Sequence, residues 1–434
     1  MLAEAIKNNI LPLTGRCNLA CLFCSNLQNP GEVKVFSLPP LSEEKLSGLV
    51  PLLDGKRRIV IGESVSHLQE GEPFTHPHLY RVLKSVRKYF PRTPVQLTTN
   101  GSYLNKHALT CLKELKPLEL VVSLNSSSEH GRREIMGDRQ PRQVLDNLKT
   151  LSGAGIPFHG SLVALPHLVG WEDFRETVKF LDKCGALTIR IFLPGYTRYA
   201  PSHLENPPGL MFRLCEIIEN LKEETTSPLL MEPPGVNNLE PRVEGVLGES
   251  PAYNSSLREG DVVHTVNGDV PRCRVEAYRF ILESKDPVVR FCREGEEKEA
   301  VLTKEAHQKP GTVFYRDLDP ADVEWVRHKS RGMESAVFTS PLAFPMWKEA
   351  VRKFGLEQVH IHRVEPAFWG GSIVSAGLLT LCDFSKKIEQ LQRENLPSLI
   401  FLPGDAFDAA GKDLLGRNYL ELEESLEGAS RLIL

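Results

Sequence analysis

Residues 14–24 read TGRCNLACLFC, with thiols at Cys17, Cys21 and Cys24 and no fourth close by. The next histidine is His67 and the next cysteine is Cys111. Thiolates are soft ligands that select zinc, copper(I) or iron–sulfur clusters. A structural zinc site takes four protein ligands, and iron–sulfur clusters usually take four cysteines. Three thiolates on one loop therefore suggest a cubane held at three irons, with the fourth iron open to a substrate or cofactor. Zinc or plain buried thiols are the alternatives.

The segment CNLACLFC follows Cys-x3-Cys-x-aromatic-Cys, with Phe23 at the aromatic position. It resembles the cluster loop of the radical S-adenosylmethionine (radical SAM) superfamily. The resemblance implies a 4Fe–4S cluster on Cys17, Cys21 and Cys24 whose open iron chelates the amino and carboxylate groups of SAM. It implies an oxygen-sensitive enzyme that cleaves SAM reductively to methionine and a 5′-deoxyadenosyl radical, which takes hydrogen from a substrate. An electron donor such as ferredoxin or flavodoxin would be a partner.

Outward from the loop, strand and helix alternate. Residues 10–13 form an apolar run leading into the cysteines, expected to be the first strand. Further strands are predicted at 58–61, 95–99, 118–124, 158–165 and 187–193. Helices are predicted at 41–53, 77–90, 105–115, 142–151 and 171–183. Leu79, Val82, Leu83 and Val86 fall on one helical face. Such alternation argues for a parallel sheet with helical crossovers, with chemistry at the C-terminal ends of the strands. Gly153 and Gly155 read as a helix stop, not a dinucleotide loop.

The resemblance also implies SAM contacts. Gly71-Glu72-Pro73 is similar to the family's Gly-Glu motif after the second strand, which binds the SAM amino group; Gly62-Glu63 competes for that role. Asn100, beside Thr99 and Gly101, ends the third strand, and Ser123 and Asn125 match ribose-contacting positions. Caps on the following helices are the plainer reading of these polar residues. RREIMG, from Arg132 to Gly137, resembles the segment after the fourth strand. Tyr196 and Arg198 are exposed-loop candidates for facing substrate. No catalytic residue is identified.

Residues 227–241 are rich in Pro, Gly and Asn and mark a linker. The segment beyond resembles a PDZ domain through SPA at 250–252, LREGD at 257–261 and VNG at 266–268. PDZ domains capture peptide C-termini by adding a strand to a sheet edge; a bracing module is the alternative. The amides of 235–239 are the candidate carboxylate cradle. FWGGSIVSAGLLT, residues 368–380, resembles the C-terminal domain of unknown function in radical SAM proteins that carry a PDZ-like domain. Two departures stand out. Pro366 replaces the usual asparagine, and the PDZ-like element lies between the other two domains. His360 and His362 share a strand face and read as metal ligands, a proton relay or a polar face.

The expected fold class is therefore α/β. It comprises a partial (β/α)6 TIM-like barrel over 1–226, a linker and small mainly-β PDZ-like domain over 227–302, and an α+β C-terminal domain over 303–434. Among 434 residues, 41% are hydrophobic and the formal charge is -4, which gives no basic excess for nucleic acid. No apolar run is long enough for a bilayer, and the N-terminus lacks a signal-peptide pattern. Nine cysteines, an odd number, point to a reducing, cytoplasmic setting. A peptide or protein C-terminus is one candidate substrate and a small metabolite or cofactor precursor another. A scaffold with a structural cluster is the non-catalytic alternative.

Overall fold

Met1–Ser227 and Pro228–Leu434 are two compact units. The structure, a computed structural model, describes residues 2–65, 67–391, 396–426 and 431–433. Of the expected C-terminal domain, 392–395, 427–430 and 434 lie outside the described residues.

In the first unit, parallel strands run in the order Ile59–Ile61, Val95–Thr99, Leu118–Ser123, Phe158–Val163 and Ile189–Phe192. Parallel neighbours need long crossovers, and helices Leu79–Tyr89, Lys106–Lys113, Pro141–Ser152 and Trp171–Lys183 fill them. Leu79–Tyr89 buries Leu79, Val82, Leu83 and Val86 and ends on Arg87 and Lys88, which suit the negative end of the helix dipole. Residues 10–13 differ from expectation. They make one parallel bridge, Ile10 to Val60, instead of a strand. The reason is a distant partner: the amides of Leu13 and Thr14 donate to the Glu70 carboxylate at 2.9 and 3.2 Å.

Register sorts the strand residues onto two faces. Ile61, Leu97, Leu120 and Phe158 lie in one row, all buried. Helix Trp171–Lys183 covers this face, where a carbon added at Gly160 would lie 2.9 Å from Leu181. The opposite face is polar. Its rows are Val60, Gln96 and Glu119; Thr98, Val121 and His159; and Ser123, Ser161 and Arg190. A slip of one residue would exchange the faces, so the burial of the apolar rows fixes which side chains face the open side.

Among the described residues of the second unit, two larger sheets have separate cores, and Gly245–Val246 pairs with Thr312–Val313 as a short further sheet. Val262–Val266, Val288–Arg293 and Glu296–Val301 form an antiparallel sheet, whose first strand ends in a turn at Asn267 and Gly268, both at positive φ. Its core includes Val243, Leu257, Val263, Ile281, Val289 and Phe291. Asp261, fully buried, takes a two-pronged ion pair from Arg293 at 2.7 and 2.8 Å. The other sheet is parallel, ordered Val359–Arg363, Ser335–Thr339, Leu399–Phe401 and Arg431–Ile433. Every residue of Ser335–Thr339 is buried, as expected of a central parallel strand covered on both faces. No helix among the described residues is long and apolar enough to cross a membrane.

Candidate active site around the cysteine loop

The cysteine loop is clamped from three sides. The amides of Gly71 and Glu72 donate to the carbonyls of Thr14 and Arg16 at 2.6 and 2.8 Å. The amide of Gly15 donates to Leu38 O at 2.7 Å. The amides of Ala20 and Leu22 donate to the carbonyls of Met136 and Ile135, at the end of helix Glu129–Met136. Phe23 packs with Leu19 and Cys21 against Ile135, Met136, Leu165, Tyr196 and Leu204. The aromatic of the motif is thus the loop's apolar anchor.

Cys17 is exposed, and Cys21 and Cys24 are half-buried. Burial, and then the neighbouring Cys17 and Cys24, push the Cys21 thiol up to about 12. Burial and like charge of this kind are relieved when a cationic metal group shares the charge. Among the described residues, no three His, Cys, Asp or Glu stand close enough to hold a single metal ion. A cubane takes one thiolate per iron, so its ligands stand farther apart than those of one ion. The donor set fits a cluster better than zinc.

Glu72 is 3% exposed, and burial pushes its carboxyl up to about 7. One oxygen accepts from the Thr99 hydroxyl at 2.7 Å and the Phe74 amide at 3.3 Å, the other from the Asn100 amide at 2.8 Å. Glu72 therefore ties its own loop to the end of Val95–Thr99. Glu63 stands on the polar face instead, accepting from Gln96 at 2.7 Å and Thr98 at 3.2 Å. The two Gly-Glu pairs meet in space: a carbon added at Gly62 would lie 2.8 Å from Pro73. In the segment between them, Leu68–Gln69 pairs with Phe36–Ser37. Gly71 lies so close to the Arg16 backbone that any side chain would overlap it.

Asn100 reaches the loop. Its side-chain nitrogen donates to Asn18 Oδ1 at 2.9 Å and lies 3.9 Å from Cys17 Sγ. Ser123 is half-buried on the polar face. Asn125, at φ 62°, is farther from the cysteines in its bonding: Oδ1 accepts from the Val163 amide at 2.7 Å and Nδ2 faces Met136 Sδ at 3.7 Å. The capping alternative fails for these residues, because Asn105 and Ser128 cap the following helices. Tyr196 is buried at 3%, not exposed as expected, because its ring joins the Ile135 and Met136 cluster. Arg198 pairs with the Tyr199 hydroxyl at 2.8 Å.

Sequence reasoning missed Glu70 and the buried pair Arg132–Asp138, which meet at 2.7 Å. Two acids flanking Gly71 were a signal for the first. In the second unit, the amide of Leu239 donates to Glu349 Oε2 at 2.6 Å, so this amide of the candidate cradle already holds a carboxylate. His360 lies 3.6 Å from Glu334, and the His362 ring meets Phe338 edge-on. All nine cysteines are free.

Residues 11–181 match the family model of the radical SAM superfamily, so the first unit carries a radical SAM domain. It is the domain of an enzyme superfamily whose cofactors are a 4Fe–4S cluster and SAM. Two similar relatives are GTP 3′,8-cyclases. That of Mycolicibacterium smegmatis is 29% identical over 173 residues, 39% of this chain and 45% of the relative. That of Mycobacterium marinum is 32% identical over 171 residues, with the same coverage. The chain spans about half the length of these curated relatives. Among solved structures, Streptococcus suis SuiB bound to precursor peptide SuiA gives a TM-score of 0.40 at 18% identity, covering 53% of this chain and 51% of that one. Native anSMEcpe with bound AdoMet gives 0.38 at 14% identity, covering 51% and 62%.

Proposed function

We propose that the chain is a radical SAM enzyme in which Cys17, Cys21 and Cys24 hold the 4Fe–4S cluster. The observation that carries this reading is the three-thiol loop, clamped at the C-terminal end of the parallel sheet, inside the segment that matches the superfamily. When bound, the cluster and SAM supply a 5′-deoxyadenosyl radical that takes hydrogen from the substrate. The chain's own residues orient the parts. Gly71 allows the close approach of two loops, and Glu72 fixes the Asn100 backbone. Asn100 reaches from the strand end to Asn18 and Cys17, where SAM would lie. Ser123 suits the ribose hydroxyls, and Asn125 holds the neighbouring strand end in place. A ferredoxin or flavodoxin would deliver the electron in a reducing cytoplasm.

The substrate is a peptide or protein if the PDZ-like segment, read as 227–302 and followed by a C-terminal domain over 303–434, presents its cradle to a C-terminus. A small molecule is the second reading, and the bond from Leu239 to Glu349 favours it because it occupies a cradle amide.

The test is anaerobic reconstitution followed by SAM and reductant, with 5′-deoxyadenosine as readout. Parent protein should bind about four irons per chain and release the nucleoside. Alanine at all three cysteines should abolish both, and retained iron would remove the assignment. Glu72→Ala and Glu63→Ala, both iron-loaded, then divide the SAM contact: the variant with weakened SAM affinity names the carboxylate.

A further inference from the structure

Helix Glu129–Met136 ends against the cysteine loop, and it carries a buried cation. Arg132 is 0% exposed. Its Nε donates to Asp138 Oδ2 at 2.7 Å and its Nη1 to the Leu124 carbonyl at 2.7 Å, while Nη2 is buried with no partner. Asp138 is 4% exposed, and its other oxygen accepts from the Gln140 amide at 2.9 Å. The carbonyls of Ile135 and Met136, one turn further along this helix, accept from the amides of Leu22 and Ala20, the two neighbours of Cys21. A buried guanidinium is costly, and a purely architectural one normally saturates its donors. Here one donor is left over on a helix whose last carbonyls hold the ligand loop.

We infer that Arg132, balanced by Asp138, poises the reduction potential of the cluster held by Cys17, Cys21 and Cys24. The inference rests on the cluster assignment proposed above. Reduction adds one electron to the cluster. A cation behind a ligand stabilises the added negative charge, and an anion opposes it, both more strongly where water is excluded. Arg132 and Asp138 partly cancel, so the potential depends on the pair. Arg132 is a positioning residue that acts through Cys21, not a catalytic one.

The pair makes a signed test. The full chain and its variants are reconstituted anaerobically, assayed for iron and sulfide, and titrated electrochemically with the reduced cluster followed by electron paramagnetic resonance. Asp138→Asn leaves the cation unopposed and should raise the midpoint potential. Arg132→Gln leaves the anion unopposed and should lower it. Each shift should correspond to about tenfold or more in the one-electron equilibrium, or ~59 mV. Arg132→Lys keeps the charge and should stay near the parent. Shifts in one common direction, or none at parental iron content, overturn the inference. Should Arg132→Gln fail to fold, the other two variants decide: an upward shift in Asp138→Asn with a parental value in Arg132→Lys supports it, and any other pattern refutes it. A parent that binds no iron would instead sink the cluster assignment itself.

Discussion

Glu70 and Glu72 flank one glycine and face different partners. Glu72 binds the end of Val95–Thr99, whereas Glu70 accepts from the amide of Leu13, the last residue of the expected first strand, and from that of Thr14 beyond it. Burial pushes the Glu70 carboxyl up to about 7, against the two amide bonds that lower it. The unfolded carboxyl titrates near 4.3. Between these values the native chain holds more protons than the unfolded one, so stability falls as pH rises and levels off above about 7. Glu70→Gln should remove that slope. The parent should lose up to roughly 3 kcal/mol relative to the variant between pH 4 and 8. Thermal melts of both metal-free proteins across that range check it, and parallel curves would refute it.

At the scale of elements, the cysteine loop depends on contact between two backbones. Residues 13–16 and 70–72 exchange amide and carboxylate bonds, and only glycine fits at position 71. Gly71→Ala must push the loops apart and break the 2.6 Å bond to Thr14. Overpacking of this kind costs about 1–3 kcal/mol. The expected result is a lowered melting temperature and poor iron retention, measured together. A variant that keeps parental iron would show that the loop can be held without this clamp. The two Gly-Glu pairs compete in the sequence because they are neighbours in space: Gly62, just past Ile59–Ile61, packs beside Pro73, which follows the second pair.

At the scale of the second unit, Glu349 of helix Phe344–Phe354 bonds to a chain position 110 residues earlier. Leu239 is fully buried and packs with Val337, Met346 and Phe354. Lys353 adds a contact to the Leu239 carbonyl at 3.4 Å. Glu349→Ala orphans a buried amide and should cost about 1–3 kcal/mol. The same variant separates the two substrate readings. If segment 235–239 is a carboxylate cradle, full-length Glu349→Ala should bind C-terminal peptides more tightly than the parent, in a fluorescence assay against a peptide library. Absence of binding by either protein would leave the small-molecule reading in front.

The sequence by itself determined what is local or periodic. The cysteine spacing, the helical stripe of Leu79, Val82, Leu83 and Val86, and the alternating order of strands and helices were all readable, because each is set by neighbours along the chain. The registers then decided which alternating residues form the polar face, and no periodicity states that choice. Tyr196 looked like an exposed loop residue, yet it is core, because a helix from elsewhere in the chain supplies its apolar partners. Only the tertiary structure separated Glu63, Glu70 and Glu72, since a carboxylate's role depends on the donors brought to it. For the same reason it alone revealed the Arg132–Asp138 pair, with Arg132 on the helix that holds the cysteine loop, and the hold of Glu349 on Leu239. Burial of charge is a property of packed elements, and it has no signature in the order of residues.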